Sequence, residues 1–240
     1  MILGVIPARG GSKGVLRKNL RLLQGIPLVT HAIRRALAAT SLCDVVVSTD
    51  DPVIAEVARQ EKAAVPFLRP GELATDTISV WPAVRHAVGY WEAGRGARLE
   101  AVAVLQPTSP LRTAGDIDAC IVRFREVEAD ICATAVLSHD SPYFNMLESD
   151  VGPFARPCSA IMQDHVRRQD APRVYVLNGA VYVVRRTVLD MLENQFAFER
   201  FALSEMPRAR SVDIDSEEDL ELAEWLLSRH DPTVSARHSP

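Results

Sequence analysis

Four short apolar runs govern what this chain can fold into: residues 3–8, 44–48 (DVVVS), 101–105 (AVAVL) and 131–137. Their interiors do not alternate polar with apolar residues. Each therefore reads as a strand buried on both faces, not as the half-wet strand of a sandwich. Amphipathic stretches separate them. In 27–40, Leu28, Ile33, Ala36 and Leu37 recur at helical spacing; 51–60 carries Pro52 near a first turn; 79–91 and 115–127 are also helical. The run 65–68 reads as one more short strand. Strands separated by helices predict an α/β fold with a mostly parallel sheet and helices on both faces. In such sheets ligands bind beyond the carboxyl ends of the strands, where strand order reverses. The segments that invite chemistry all follow strands: ARGGSKG, STDD, LRPGE and LQPTSP.

The rhythm breaks at residues 139–173, which are rich in Pro, Asp and Arg, and an irregular insertion is expected there. Strand character returns in YVLNGAVYVV (175–184), with Asn178-Gly179 inside it. That pair is either a hairpin turn or a place where something approaches the backbone closely. Residues 187–193 and 216–228 predict helices, the second opened by Ser216 with Asp219 at capping-box distance. One domain over 1–229 with an insertion at about 139–173, then a frayed tail at 230–240, is the expected organisation.

A net charge of −4 among 240 residues leaves no overall basic surplus, which argues against nucleic acid or acidic lipid as partner. The four cysteines, Cys43, Cys120, Cys132 and Cys158, form no CxxC pair, so a zinc cage or redox dithiol is not expected. No apolar run approaches the roughly 20 residues of a membrane span, and no basic-then-apolar leader is evident. A cytoplasmic protein with no membrane partner is expected.

In ARGGSKG, Gly10 and Gly11 free the backbone to point successive N–H groups at one anion, with charge from Arg9 and Lys13 and a hydroxyl from Ser12. Lys13 precedes Gly14 and Val15 follows it, so the loop is not a Walker A motif; adjacent Gly10 and Gly11 exclude GxGxxG. The bland alternative is a turn with solvated charges. Crowded cations through Lys18 weaken it, because they repel unless something neutralises them. In SVDIDSEEDL, Asp213 and Asp215 flank Ile214. An extended backbone sends both carboxylates one way, an arrangement that a divalent cation such as Mg²⁺ relieves or that exposed strand-end charges tolerate. In LQPTSPLR, two prolines stiffen a loop that carries Gln106, Thr108, Ser109 and Arg112. It suits a binding site, or merely a helix entry.

These segments together resemble one family. IPARGGSKG…KNL, VSTDD, FLRPGELATDT, LQPTSPLR, NGAVY and DIDSEEDL stand in the order seen in the acylneuraminate cytidylyltransferases, over nearly the whole chain. The resemblance implies a Rossmann-like nucleotidyltransferase fold. It also implies CTP or another nucleotide triphosphate, an acidic nine-carbon sugar that attacks the α-phosphate, and Mg²⁺. Arg9, Ser12 and Lys13 would contact phosphates, with Lys18 and Asn19 completing the cradle, and Arg69 and Ser79 would lie near the nucleotide. Arg9, Lys13, Lys18, Asp213 and Asp215 would carry catalysis, the two aspartates through the metal. Gln106, Thr108, Ser109, Arg112 and Asn178 are expected against the sugar. The 142–173 segment looks like a dimerisation arm, with Phe144 and Arg168 reaching a partner's site in a homodimer. Two positions depart from the sialic-acid pattern: Phe144 and Val176 stand where cations are typical. So Arg112, Arg168 or Arg173 would hold the carboxylate, or the sugar is a relative such as legionaminic or pseudaminic acid. A second reading keeps the fold but joins another triphosphate, such as GTP, to a sugar 1-phosphate. A third binds nucleotide without turnover.

Overall fold

The computed structural model describes residues 1–11, 15–75, 77–149, 152, 154–159, 167–193, 196 and 198–230. Strand β1 (Ile2–Pro7) is followed by a two-strand turn, β2 (Leu22–Leu23) with β3 (Ile26–Pro27), and by helix α1 (Leu28–Leu37). Then come β4 (Asp44–Ser48), α2 (Pro52–Gln60), α3 (Val80–Arg95), β5 (Ala101–Leu105), α4 (Ala114–Glu126) and β6 (Ile131–Leu137). A small antiparallel pair, β7 (Leu147–Glu148) and β8 (Arg156–Pro157), precedes β9 (Tyr175–Arg185). The chain ends with α5 (Arg186–Leu189), β10 (Phe201–Glu205) and α6 (Glu217–His230).

Six strands form one sheet in the order β10-β6-β9-β5-β1-β4. All neighbours are parallel except β9, which runs antiparallel between β5 and β6. Alternate strand residues serve two cores. Ile2, Ile6 and Leu105 pack with Ile33 of α1, Ile54 of α2 and Phe124 of α4. Leu3, Val5 and Val104 pack with Trp81, Val84 and Val88 of α3 and with Leu189 of α5. Both faces are covered, which is why β1 and β5 read as unbroken apolar runs. The expected α/β architecture is therefore present.

Local signals explain the helix starts. Asp51 caps α2 by accepting from the Val53 and Ile54 N–H groups at 2.7 and 3.4 Å, with Pro52 in the first turn. Thr113 and Asp116 form a reciprocal capping box on α4, and Ser216 and Asp219 do the same before α6.

Several expectations are corrected. Residues 65–68 form no strand; only Ala64 bridges to Val46, because Pro66 has no N–H to continue the ladder. The helix expected at 187–193 is the four-residue α5. Strand β10, at the sheet edge, went unread because its half-exposed FALSE sequence lacks an apolar run. The DID segment is irregular backbone, not a strand, yet the alternation holds: Ile214 is fully buried and its two aspartates are exposed. Apart from His230, the expected tail lies outside the described residues. No helix among the described residues is long and apolar enough to cross a membrane.

Candidate active site

Strand β1 is the point where the order reverses, with β4 on one flank and β5 on the other. At the carboxyl ends of β1 and β5 opens a cleft of about 510 Å³. Its walls include Arg9 and Gly11 after β1, Lys18 and Asn19 on the next turn, Arg69, Ser79 at the start of α3, and Gln106 and Thr108 after β5. Asp213 and Asp215, about two hundred positions beyond Arg9 in the chain, complete it.

The glycine loop is fastened to the loop after β4. The Gly10 N–H donates to Asp50 Oδ1 at 3.0 Å, and the buried Asn19 Nδ2 donates to the Arg9 carbonyl at 2.7 Å. A Cβ on Gly10 would stand 2.9 Å from the Asp51 side chain, so this close approach requires glycine. Arg9 Nη1 donates to the Thr75 carbonyl at 2.9 Å. Ser12 and Lys13, with Gly14, lie outside the described residues.

Arg69 is buried beneath the same rim. Its Nε donates to Ser48 Oγ at 3.2 Å, its Nη2 to the Ser48 carbonyl and its Nη1 to the Leu73 carbonyl. Burial lowers its pKa, with Asp50 acting against that shift. Among the described residues no carboxylate contacts it, so its charge is available to an anion in the cleft. The STDD segment, singled out in the sequence without roles for its residues, is what seats both Gly10 and Arg69.

The opposite wall is acidic. The Ile214 N–H donates to the Thr108 carbonyl at 2.8 Å, which pins the DID segment against the LQPTSP loop. Lys18 Nζ donates to Asp215 Oδ1 at 2.7 Å and to the Ile214 carbonyl at 2.8 Å. Asp213 is open to solvent along one edge, but the cleft walls desolvate its carboxyl and, together with the neighbouring Asp215 charge, raise it above its usual range, although the Thr108 hydroxyl and Lys18 pull it down. Among the described residues no cluster of three or more His, Cys, Asp or Glu side chains could hold a metal. Two hard carboxylates facing a phosphate-sized cleft still fit a cation that takes its remaining ligands from water and phosphate.

Over residues 3–227 the chain matches the family described as cytidylyltransferase. The chain belongs to the cytidylyltransferase family. It is accordingly a nucleotidyltransferase. It is 33% identical over 230 residues to the CMP-N,N'-diacetyllegionaminic acid synthase of Legionella pneumophila, covering 94% of this chain and 96% of that one. It is 29% identical to the N-acylneuraminate cytidylyltransferase of Escherichia coli, covering 92% of this chain and 51% of that one. These matches bear out the resemblance to the acylneuraminate cytidylyltransferases. The structure of a CMP:2-keto-3-deoxy-manno-octonic acid synthetase complexed with CTP superposes with a TM-score of 0.68 at 18% identity, covering 96% of this chain and 99% of that one, and shares the fold.

Not every residue expected at the site of this cytidylyltransferase faces the cleft. Arg112 is buried beneath it, with Nη1 donating to the Gln106 and Ala180 carbonyls at 3.0 and 2.5 Å. Burial pushes its pKa down to about 10, and Asp116 opposes this. Ser109 is likewise buried, donating to the Asn178 carbonyl. Asn178 is buried with all its polar atoms engaged: Oδ1 accepts from Thr134 Oγ1 and from the Ala180 N–H, and Nδ2 donates to Ser211 Oγ. All three are buried, and their hydrogen bonds tie the LQPTSP loop to β9. Phe144, on a turn after β6, lines no described cavity. Arg168 begins a short 3₁₀ turn, and its side chain lies outside what is described.

A second cavity lies beside the first. A groove of about 700 Å³, lined by Val136, Val176, Arg208, Val212, Leu222 and Leu226 among others, also has Asp213 in its wall. The two cavities therefore meet at one carboxylate. No local pattern could reveal this, because the residues come from β6, β9, the turn after β10 and α6.

Proposed function

We propose that this enzyme joins a cytidylyl group from CTP to an acidic nine-carbon sugar of the N-acylneuraminate or legionaminate kind, releasing pyrophosphate. The observation that carries the reading is a cleft with Arg9 and Arg69 on one side and, on the other, a carboxylate pair, Asp213 and Asp215, of which Asp215 is tied down by Lys18. The names of its relatives supply the nucleotide and the class of sugar.

In this reading a hydroxyl oxygen of the sugar attacks the α-phosphorus of CTP. The bond from that phosphorus to the oxygen bridging the β-phosphate breaks, pyrophosphate leaves, and the hydroxyl proton passes to solvent. Negative charge grows on the departing phosphates, so fixed cations accelerate the step. Arg9 and the backbone of Gly11 hold the triphosphate, Lys13 joins them, and Arg69 adds charge from below. Lys18 orients Asp215. A divalent cation such as Mg²⁺, held by Asp213 and Asp215, would add Lewis-acid stabilisation of the phosphate oxygens. A homodimer is part of the reading: Leu147 and Phe154, on and beside the β7–β8 pair, are exposed apolar side chains.

Pyrophosphate release is the test, with CTP, Mg²⁺ and a panel of N-acetylneuraminate, N,N'-diacetyllegionaminate and pseudaminate. Release with at least one acid and none without Mg²⁺ is expected. Faster turnover of GTP with a hexosamine 1-phosphate would favour the other reading.

A further inference from the structure

We propose that Arg208 is the cation that grips the acceptor's carboxylate, in the groove that meets the triphosphate cleft at Asp213. The inference rests on the proposed function and adds the place and the contact for the acid.

The acceptor's attacking oxygen must reach the α-phosphate, so its pocket must adjoin the triphosphate cleft. The groove of about 700 Å³ does so through Asp213, which lines both cavities. The groove offers an apolar side, with Val176, Val212, Leu222 and Leu226, and a polar one, with Ser138, His139 and Arg208. A sugar acid with acyl groups needs both kinds of surface.

The turn that carries Arg208 is held rigidly. The Met206 N–H donates to the Ala135 carbonyl at 2.7 Å, and the Ser211 N–H to the Arg208 carbonyl at 3.1 Å. Ser211 Oγ accepts from Asn178 Nδ2 at 2.9 Å and donates to the Pro207 carbonyl at 3.0 Å. Two arginines stand on this turn and their situations differ. Arg210 forms a two-pronged pair with Asp116 at 2.7 and 2.9 Å. Arg208 is exposed and, unlike Arg210, makes no ion pair among the described residues.

The groove also contains Asp140, Asp213 and Asp219. Asp219 is occupied by the Asp215 and Ser216 N–H groups and the Ser216 hydroxyl, and Asp140 accepts from Asn145 Nδ2 at 2.9 Å. An incoming carboxylate is repelled by all three, so it needs a fork of donors in place, which a guanidinium provides. Val176 lines the same groove, so an arginine placed there would bring a cation into it from β9.

The test is steady-state kinetics of the full-length wild type and of Arg208→Ala, Arg208→Lys and the double variant Arg208→Ala/Val176→Arg, with N,N'-diacetyllegionaminate and N-acetylneuraminate as acceptors. The expected result for Arg208→Ala is a tenfold or greater rise in KM for the acid, with KM for CTP within twofold of wild type. Lysine should recover part of the loss, and so should the arginine at 176, which returns a cation to the same groove. A change in the general field would disturb CTP more than the acid, because the triphosphate carries more charge. Equal rises in both KM values, or an unchanged acid KM in Arg208→Ala, would overturn the assignment. A wild type that turns over neither acid overturns the proposed function itself, and this assignment with it.

Discussion

Gly179 lies directly against the carboxylate of Asp213: a Cβ at position 179 would stand 3.1 Å from Asp213 Oδ2. The glycine sits inside β9 with φ of +69°, where the β6–β9 register shifts. The break in the strand and the absent side chain together make room for the carboxylate at the junction of the two cavities. Gly179→Ala should therefore displace Asp213 and strain the backbone by about 1–2 kcal/mol. The expected outcome is at least a tenfold fall in kcat with a lower Tm; wild-type turnover in this variant would show that Asp213 has no need of the space.

Asp213→Asn and Asp215→Asn keep the shape of the side chains and remove their charge. Each should lower kcat by about 10²- to 10³-fold, the usual effect of losing one preorganised group at a phosphoryl-transfer site. If the pair binds Mg²⁺, each variant also needs more Mg²⁺ for half-maximal rate. Titration of the rate against Mg²⁺ checks this, and an unshifted midpoint in both variants would sink the metal assignment.

Asp116 tests a structural pair outside the cleft. Burial pushes its carboxyl up, but the Arg210 guanidinium and the Thr113 N–H and hydroxyl outweigh this and hold it below its usual value. A depressed carboxyl pKa stabilises the fold above the unfolded-state value of about 3.9, and that stability is lost as pH falls through the folded-state value. Asp116→Ala removes both the cap and the ion pair. Solvent reaches Arg210, so the combined loss is modest, about 1–3 kcal/mol. Denaturant unfolding should show this gap at pH 7 and a smaller one at pH 3. A gap independent of pH would mean that charge plays no part.

Arg112 is the reverse case, a buried cation whose Nη1 serves two carbonyls while Nε and Nη2 find no partner among the described residues. Arg112→Met relieves a desolvated charge but takes a donor from the Ala180 carbonyl and leaves the Gln106 carbonyl only the Ser109 N–H at 3.4 Å. A buried acceptor left unsatisfied costs about 1–3 kcal/mol. The relief offsets part of that, so a net loss of about 1–3 kcal/mol is expected in urea unfolding. A variant as stable as wild type would show that desolvation is the larger effect.

Much of the cleft was legible because its parts sit where chain and strand meet. Arg9, Gly10 and Gly11 follow β1, Gln106 and Thr108 follow β5, and a parallel α/β sheet sends such loops to one edge. Arg69 and Ser79 came only from the ordered resemblance, since nothing in LRPGE or DTIS states what it faces. Arg112, Ser109 and Asn178 carry polar groups that suit a ligand equally well. Burial beneath the cleft turned their donors and acceptors toward backbone and neighbouring side chains instead, and one-dimensional patterns do not report depth.

Period, caps and loop composition are local properties, so the class of sheet, several helix starts and the charged segments of the candidate site are legible along the chain. The family is legible there too, through the order of the motifs. Folding alone sets β9 antiparallel between β5 and β6, leaves room for Asp213 beside Gly179, and brings a second groove to the first at that carboxylate. Those facts depend on which distant segments share a surface. That choice is made by burying two apolar cores at once, and no single segment encodes it.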